Sequence, residues 1–133
     1  MNSKSREDYL RAIFRLGEMN DTVQSRDIVN YLEVSKPAVS EMLKKLKRQG
    51  YVEMTPYSNI ALTSEGLQEA KKVTYKHRVA EIFLKEVLNF EGDIHEEAHK
   101  MEHSLSDEVA KSLADFLKNP KYCPCGHEIP NIF

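Results

Sequence analysis

The sequence predicts a mainly α-helical protein, in which an N-terminal winged helix-turn-helix with a small β-hairpin wing precedes an α-helical second domain. Three observations support this fold class. Two short amphipathic helices follow an opening helix and are separated by a tight turn, two short strand-like runs come next, and helical patterns fill most of the remainder. The predicted domains span residues 1–63 and 64–133.

Capping residues and apolar spacing predict the first two helices. Ser5 precedes a pattern of apolar residues at i, i+3 and i+4 that ends near Asn20. Ser25 is predicted to cap a short second helix over residues 26–31. Both helices present one apolar stripe, so we expect them to pack on a shared core.

The third helix and the wing follow at once. Ser35 is predicted to cap a helix over residues 36–49, and Gly50 supplies the C-terminal stop. Residues 51–55 and 59–63 read as two strands that form a hairpin. The order of these elements predicts a winged helix-turn-helix.

Helical patterns then continue through the second half of the chain. One long pattern runs over residues 64–88, Gly92 interrupts it, and Asp93 begins a helix of about ten residues. Ser106 caps the last predicted helix, and the Pro- and Gly-containing tail over residues 119–133 is expected to be irregular.

Length and composition exclude several classes of protein. With 133 residues, 41% of them hydrophobic and 30% charged, the chain suits a small globular protein and is too short for a large enzyme. No apolar run approaches the roughly 20 residues that span a bilayer, and the first residues lack a signal peptide's apolar segment, so we expect a cytoplasmic protein without a membrane partner. One residue separates Cys123 from Cys125, which makes a mutual disulfide awkward and favours reduced thiols.

Charge is distributed unevenly along the chain. Basic residues crowd the stretch 36–48, whereas acidic residues dominate the stretch 91–108. One interpretation is a basic half that binds polyanions and an acidic half that binds cations. The alternative is that both stretches are solvated helix faces, and charge alone does not separate the two.

The stretch 95–103, HEEAHKMEH, carries three of the five histidines. At about 100° per residue, His99, Glu102 and His103 share one polar arc with His95, beside an apolar arc. Imidazole and carboxylate groups at a core boundary are typical ligands of a divalent transition metal. We therefore favour a metal-binding site over the alternative, an acid-rich surface helix that binds no metal. The run His95-Glu96-Glu97-Ala98-His99 also matches the H-E-x-x-H pattern of zinc hydrolases, but the chain offers too little room for a protease cleft, so we expect no enzyme.

Several longer motifs resemble the diphtheria toxin repressor and manganese transport regulator family of metal-dependent repressors, in its two-domain form without an SH3-like domain. The matching segments are Glu7-Asp8-Tyr9-Leu10-Arg11, Ser35-Lys36-Pro37-Ala38-Val39-Ser40, Leu62-Thr63-Ser64-Glu65-Gly66, Lys76-His77-Arg78-Val79-Ala80-Glu81, Glu102-His103-Ser104-Leu105-Ser106-Asp107-Glu108-Val109 and Cys123-Pro124-Cys125-Gly126-His127-Glu128-Ile129-Pro130. The resemblance covers nearly the whole chain and implies a metal-activated transcriptional repressor that controls metal homeostasis.

The resemblance also implies two metal sites. The primary site would use Asp8, His99, Glu102 and His103, and the ancillary site would use His77, Glu81 and His95. Asp8 matches the manganese-sensing branch, whereas His99 and Arg11 depart from it. We therefore expect Mn(II) or Fe(II), with Co(II) or Zn(II) also compatible with these ligands.

Some of these residues have simpler interpretations. Asp8 alone is typical of a first-turn acid that the helix dipole favours, and His77 alone is typical of a core histidine. The C-x-C-x-H run of Cys123, Cys125 and His127 is compatible with a metal site, but its resemblance to the family's tail favours a structural turn.

The implied partners are double-stranded DNA with a palindromic operator and a second copy of the chain, which the helices after about Thr63 would pair, with no organic cofactor. The predicted DNA-binding residues are Ser35, Lys36, Pro37, Ala38, Ser40, Glu41, Lys44, Lys45 and Tyr57. Glu41 is unusual among them because a carboxylate repels phosphate. The main alternative function is a winged-helix regulator that ignores metal and answers an organic ligand or a partner protein.

Overall fold

The structure is a computed structural model that describes residues 4–55, 59–130 and 132. It divides into two compact units, Met1–Ala70 and Lys71–Phe133. The described helices and strands are α1 (Arg6–Met19), α2 (Ser25–Leu32), α3 (Lys36–Arg48), β1 (Val52–Thr55), β2 (Asn59–Leu62), α4 (Ser64–Ile82), α5 (Ile94–Glu102) and α6 (Asp107–Phe116). This order confirms the predicted mainly helical fold with a hairpin after the third helix.

At the starts of α1 and α2, side chains accept hydrogen bonds from nearby backbone N–H groups. Ser5 and Asp8 form a capping box at α1, in which Asp8 N donates to Ser5 Oγ at 3.2 Å and Ser5 N donates to Asp8 Oδ2 at 2.7 Å. The prediction that Ser25 caps α2 is wrong. Gln24 is the cap, because the carboxylate of Asp27 accepts from Gln24 N at 2.8 Å and holds Gln24 in an extended conformation.

The helix-turn-helix and the hairpin have the predicted form. The turn between α2 and α3 places Glu33 in the left-handed region, with φ of 55°, and Ser35 caps α3 by accepting from Ala38 N at 3.2 Å. Gly50, with φ of 80°, ends α3 as predicted. β1 and β2 then pair antiparallel from Val52↔Leu62 to Thr55↔Asn59.

One apolar core holds the first unit together. Its largest fully buried apolar side chains come from all three helices and include Leu10, Ile28, Val39 and Leu46. Ile60 of β2 is also buried there, so the hairpin shares this core. As a result, the outward face of α3 is left for solvent or a partner.

The long helical run of the second half ends near Leu88, as predicted, but its last turn is not α-helical. α4 stops at Ile82, and one π-helical turn, Phe83–Val87, follows it. Asn89 then adopts a left-handed conformation with φ of 48°, and Phe90 N donates to Leu84 O at 2.9 Å. Asn89, three residues before Gly92, therefore ends the helical run, because Asn tolerates left-handed geometry better than most residues.

The remaining helices begin at the predicted caps. Asp93 accepts from Glu96 N at 3.0 Å, and Ser106 accepts from Val109 N at 3.1 Å. In the tail, Tyr122 and Glu128 form an isolated antiparallel bridge around a tight turn, which the sequence did not predict. Two small cores hold the second unit, one joining α4 to α6 and the tail, the other joining α4 to α5.

No helix in the described part of the chain combines the length and apolar character needed to cross a bilayer.

Candidate functional site

Helix α5 presents a graded polar face within the second unit. Ala98 is fully buried and anchors the helix, and Glu102 on the next turn is only 2% exposed. His99 is half-buried, whereas His95 and His103 are exposed. The polar arc predicted from the sequence therefore runs from the core boundary to solvent.

Glu102 joins two histidines from different helices. Its Oε1 lies 3.1 Å from Nδ1 of His99 and 3.0 Å from Nδ1 of His77. Because a carboxylate only accepts hydrogen bonds, both imidazoles donate from Nδ1 in this arrangement. In the neutral imidazole, Nε2 then carries the lone pair, which is the form in which histidine binds a metal.

The three residues predicted for the ancillary site lie together. Nε2 of His77 lies 3.4 Å from Glu81 Oε1 and 3.2 Å from His95 Nδ1. One ligand atom from each of the three residues falls within 4.8 Å of the others. His77 is buried and contacts Glu102, and its role as a metal ligand stays a prediction.

The residues predicted for the primary site are divided between the two units. In the second unit, His99 and His103 stack edge to face, with ring centroids 5.1 Å apart, next to the contact of His99 with Glu102. In the first unit, Asp8 is buried and caps α1. The metal-binding role of these four residues stays a prediction.

A third group of metal-binding side chains lies in the tail turn. Cys123 Sγ lies 3.1 Å from Cys125 Sγ, which lies 3.6 Å from His127 Nδ1. Cys125 Sγ also points at Glu81 Oε2, 3.8 Å away. Burial, the hydrogen bond to Cys123 and the charge of Glu81, in that order, raise the pKa of Cys125 to about 12, so this thiol is protonated at neutral pH when no cation is bound.

The donors of the first two groups fit a divalent transition metal. Neutral imidazole nitrogens and carboxylate oxygens are ligands for Mn(II), Fe(II), Co(II) and Zn(II). Buried carboxylates such as Glu81 and Glu102 carry a negative charge that a cation compensates. The contact of Glu102 with His77, 25 residues apart, was missed because no short-range pattern announces it.

The outward face of α3 carries the predicted DNA-binding residues. The exposed ones are Ser35, Lys36, Pro37, Ala38, Ser40, Glu41, Lys44 and Lys45, and Tyr57 lies outside the described residues. Arg26 of α2 and Lys47 line the same groove as Lys36 and Lys44, although neither was predicted as a DNA ligand. The sequence signal that could have identified Arg26 as a DNA ligand was a basic residue in the first turn of α2.

Comparison with known proteins assigns a class to each half of the chain. Residues 1–60 match the family model "Iron dependent repressor, N-terminal DNA binding domain", and residues 63–131 match "Iron dependent repressor, metal binding and dimerisation domain". The class is therefore that of the metal-dependent transcriptional repressors, which are not enzymes. The chain belongs to the iron-dependent repressor family, as the sequence motifs predicted.

Individual relatives agree with this assignment. The chain is 42% identical over 121 residues to an HTH-type transcriptional regulator of Methanocaldococcus jannaschii, covering 90% of this chain and 97% of the relative. It is 35% identical over 127 residues to the diphtheria toxin repressor of Corynebacterium glutamicum, covering 95% of this chain but 56% of that repressor. The manganese regulator SloR superposes with a TM-score of 0.86 at 39% identity, over 98% of this chain and 61% of SloR. The chain thus spans little more than half the length of the repressor and of SloR.

Proposed function

We propose that the chain is a metal-activated transcriptional repressor that responds to Mn(II) or Fe(II) and controls metal homeostasis. The observation that carries the proposal is the buried carboxylate of Glu102, which holds His99 and His77 by their Nδ1 atoms at 3.1 and 3.0 Å. A buried carboxylate between two oriented imidazoles is poorly explained by stability alone, because burying its charge is costly. Family membership supplies the link from such a group to gene regulation.

The proposed primary ligands are Asp8, His99, Glu102 and His103, and the proposed ancillary ligands are His77, Glu81 and His95. A bound cation would offset the negative charge of these carboxylates. It would also fix the positions of its ligands relative to one another. Glu102 orients two imidazoles, and Asp8 brings a carboxylate from α1. Since α1 belongs to the unit that carries α3, Asp8 is the residue through which metal occupancy would affect DNA binding.

On the DNA side, the N-terminal turn of α3 would read base edges in the major groove of a palindromic operator, with two copies of the chain as a homodimer. The exposed Ser35, Pro37, Ala38, Ser40 and Glu41 are the proposed base readers. The exposed lysines Lys36, Lys44 and Lys45, with Tyr57 of the wing, would contact phosphates and add affinity without sequence information.

An equilibrium binding experiment tests the proposal. Duplexes are selected from a random-sequence pool in the presence of Mn(II), and their affinity is then measured anaerobically with a chelator, Mn(II), Fe(II), Co(II) or Zn(II). We expect Mn(II) or Fe(II) to raise affinity about 5- to 150-fold, the range of typical allosteric coupling. If neither metal nor chelator changes the DNA affinity, the chain is better explained as a metal-independent regulator.

A matched pair of variants in α5 links this response to the cluster. Glu102→Gln removes the charge of the buried carboxylate, whereas Glu97→Gln makes the same change at a side chain that is 42% exposed and contacts Lys100. The first variant should lose the metal response and the second should keep it. His99→Ala provides a second test if the circular dichroism spectrum shows that Glu102→Gln disturbs the fold.

A further inference from the structure

The tail turn brings three soft or borderline metal ligands to one place. Gly126 N donates to Cys123 O at 2.9 Å and Cys123 N donates to His127 O at 2.8 Å, which closes a tight loop between the bridged Tyr122 and Glu128. Gly126 has φ of 89°, a conformation that favours glycine. The loop therefore holds the side chains of Cys123, Cys125 and His127 close together.

This loop is anchored to α4 and not left to solvent. The buried Arg78 donates from Nη1 to the carbonyl oxygen of Glu128. Cys123 and Ile129 are buried in the core that joins α4 to α6. Because these contacts fix both arms of the loop, the ligand side chains are preorganised, and less conformational entropy is lost when they bind an ion.

The distances from Cys125 Sγ to two neighbouring ligand atoms are close to those around a tetrahedral ion. Bond lengths of about 2.3 Å to sulfur and about 2.0 Å to nitrogen or oxygen give a tetrahedron with edges of about 3.5–3.8 Å. Cys125 Sγ lies 3.6 Å from His127 Nδ1 and 3.8 Å from Glu81 Oε2, which matches those edges. Its separation of 3.1 Å from Cys123 Sγ is shorter than such an edge.

Glu81 brings a carboxylate oxygen next to Cys125 from outside the loop. It lies in α4, is 6% exposed, and directs Oε2 at Cys125 while Oε1 lies 3.4 Å from His77. Two thiolates, one imidazole and one carboxylate make a set that prefers thiophilic ions, in contrast to the nitrogen and oxygen donors on α5. A structural turn requires the glycine but does not require two cysteines, a histidine and a carboxylate directed at them.

We propose that Cys123, Cys125 and His127, with Glu81 as fourth ligand, bind a thiophilic divalent cation such as Zn(II), at a site separate from the one that answers Mn(II) or Fe(II). Because Glu81 also belongs to the proposed ancillary ligands, an ion held by the cysteines takes one carboxylate oxygen from that set. Occupancy of the thiolate site therefore alters the affinity of the ancillary ligands for a second ion.

Co(II) serves as the spectroscopic probe of this site. The full chain, reduced, metal-free and without an affinity tag, is titrated anaerobically with Co(II). We expect a thiolate-to-Co(II) charge-transfer band in the near ultraviolet and the intense visible bands of tetrahedral Co(II), both abolished by one equivalent of Zn(II). Absence of the charge-transfer band at saturating Co(II) would overturn the proposal.

Variants assign the band and separate this site from the proposed function. Cys125→Ser changes an exposed side chain, so the fold should persist, and we expect the band to be lost and the Zn(II) affinity of one site to fall at least about tenfold, as measured with a chromophoric chelator. His127→Gln should weaken Zn(II) binding in the same direction. Glu102→Gln is the control and should keep the full band.

The DNA-binding response to Mn(II) should survive in Cys125→Ser. If that response is lost in both Cys125→Ser and Glu102→Gln, the two sites are one and the proposed separate site is wrong. If Mn(II) never affects DNA binding in any variant while the Co(II) band behaves as expected, the proposed function fails and the thiolate site stands. A Zn(II) affinity that is unchanged at every site of Cys125→Ser would contradict the thiolate site alone.

Discussion

Single carboxylates in this chain combine a structural role with a proposed ligand role. Asp8 caps α1 through Oδ2, and Glu102 orients two imidazoles through Oε1. Both are almost fully buried, at 4% and 2% exposure. Substitutions at such residues therefore have to separate loss of structure from loss of metal binding, which an isosteric change does better than truncation to alanine.

Asp8→Asn makes this separation in the first helix. Asparagine still accepts the hydrogen bond from Ser5 N, so the free energy of unfolding should change by less than about 1 kcal/mol. The substitution removes the negative charge that would bind a cation. We expect metal-dependent DNA binding to be lost. Asp27→Asn changes the equivalent acid of α2, which accepts from Gln24 N, and should leave the metal response intact. If metal-dependent DNA binding is the same in Asp8→Asn and Asp27→Asn, Asp8 is not a ligand of the metal site.

Asp107 gives a pH dependence at the start of α6. A hydrogen bond from Lys76, reinforced by the charges of Lys76 and Lys72, holds the pKa of Asp107 below its ordinary value. A lowered pKa in the folded state adds stability that is present above about pH 4 and is lost as pH falls through the folded pKa. Because the side chain is 44% exposed, this contribution should stay below about 1 kcal/mol.

Urea unfolding of the metal-free chain measures this effect. Asp107→Asn should be less stable than the unaltered chain at pH 7, and the difference should shrink as the pH approaches 3. Glu108→Gln changes the neighbouring exposed acid in the first turn of the same helix and should have a smaller effect. A difference between Asp107→Asn and the unaltered chain that is independent of pH would contradict the ion pair.

At the scale of helices and strands, most caps were predictable, whereas the π-helical turn after α4 was not. Ser35, Asp93 and Ser106 cap the helices predicted for them, because a short polar side chain next to an apolar pattern is a local signal. The π-helical turn after α4 lies within a continuing apolar pattern, which gives no local signal for it. The cluster around Glu102 depends on contacts between α4 and α5, which sequence spacing within one helix does not contain.

Two glycines inside helices provide a matched test of packing. A Cβ at Gly66 in α4 would lie 1.9 Å from the carbonyl oxygen of Tyr51, whereas a Cβ at Gly17 in α1 would meet nothing within 4 Å among the described residues. Gly66→Ala should therefore destabilise the chain by about 1–3 kcal/mol, since backbone has to move. Gly17→Ala should stabilise it by about 0.5–1 kcal/mol. Thermal unfolding measures both, and equal effects would contradict the close approach of α4 to Tyr51.

Helix α3 makes a prediction about salt. Lys44 is exposed and lines the basic groove with Arg26 and Lys36. Lys44→Ala should weaken binding to every duplex by a similar factor and reduce the slope of log affinity against log salt by about 1. Lys85→Ala, at an exposed lysine of the second unit, should leave the slope unchanged. An unchanged slope in Lys44→Ala would exclude a phosphate contact at that position.

For the whole molecule, the proposed function links metal binding in one compact unit to DNA binding in the other. The first unit matches the DNA-binding model of the family, and the second matches its metal-binding and dimerisation model. Thermodynamic reciprocity then applies: if a metal raises DNA affinity by some factor, DNA has to raise metal affinity by the same factor. A metal that only stabilises the fold of the second unit would not show this reciprocity.

The most direct measurement is therefore the affinity of the chain for Mn(II), determined from the electron paramagnetic resonance signal of free Mn(II), with and without a selected duplex. We expect the duplex to tighten Mn(II) binding by the same factor, about 5- to 150-fold, by which Mn(II) tightens DNA binding. A Mn(II) affinity that is identical with and without the duplex would contradict this expectation.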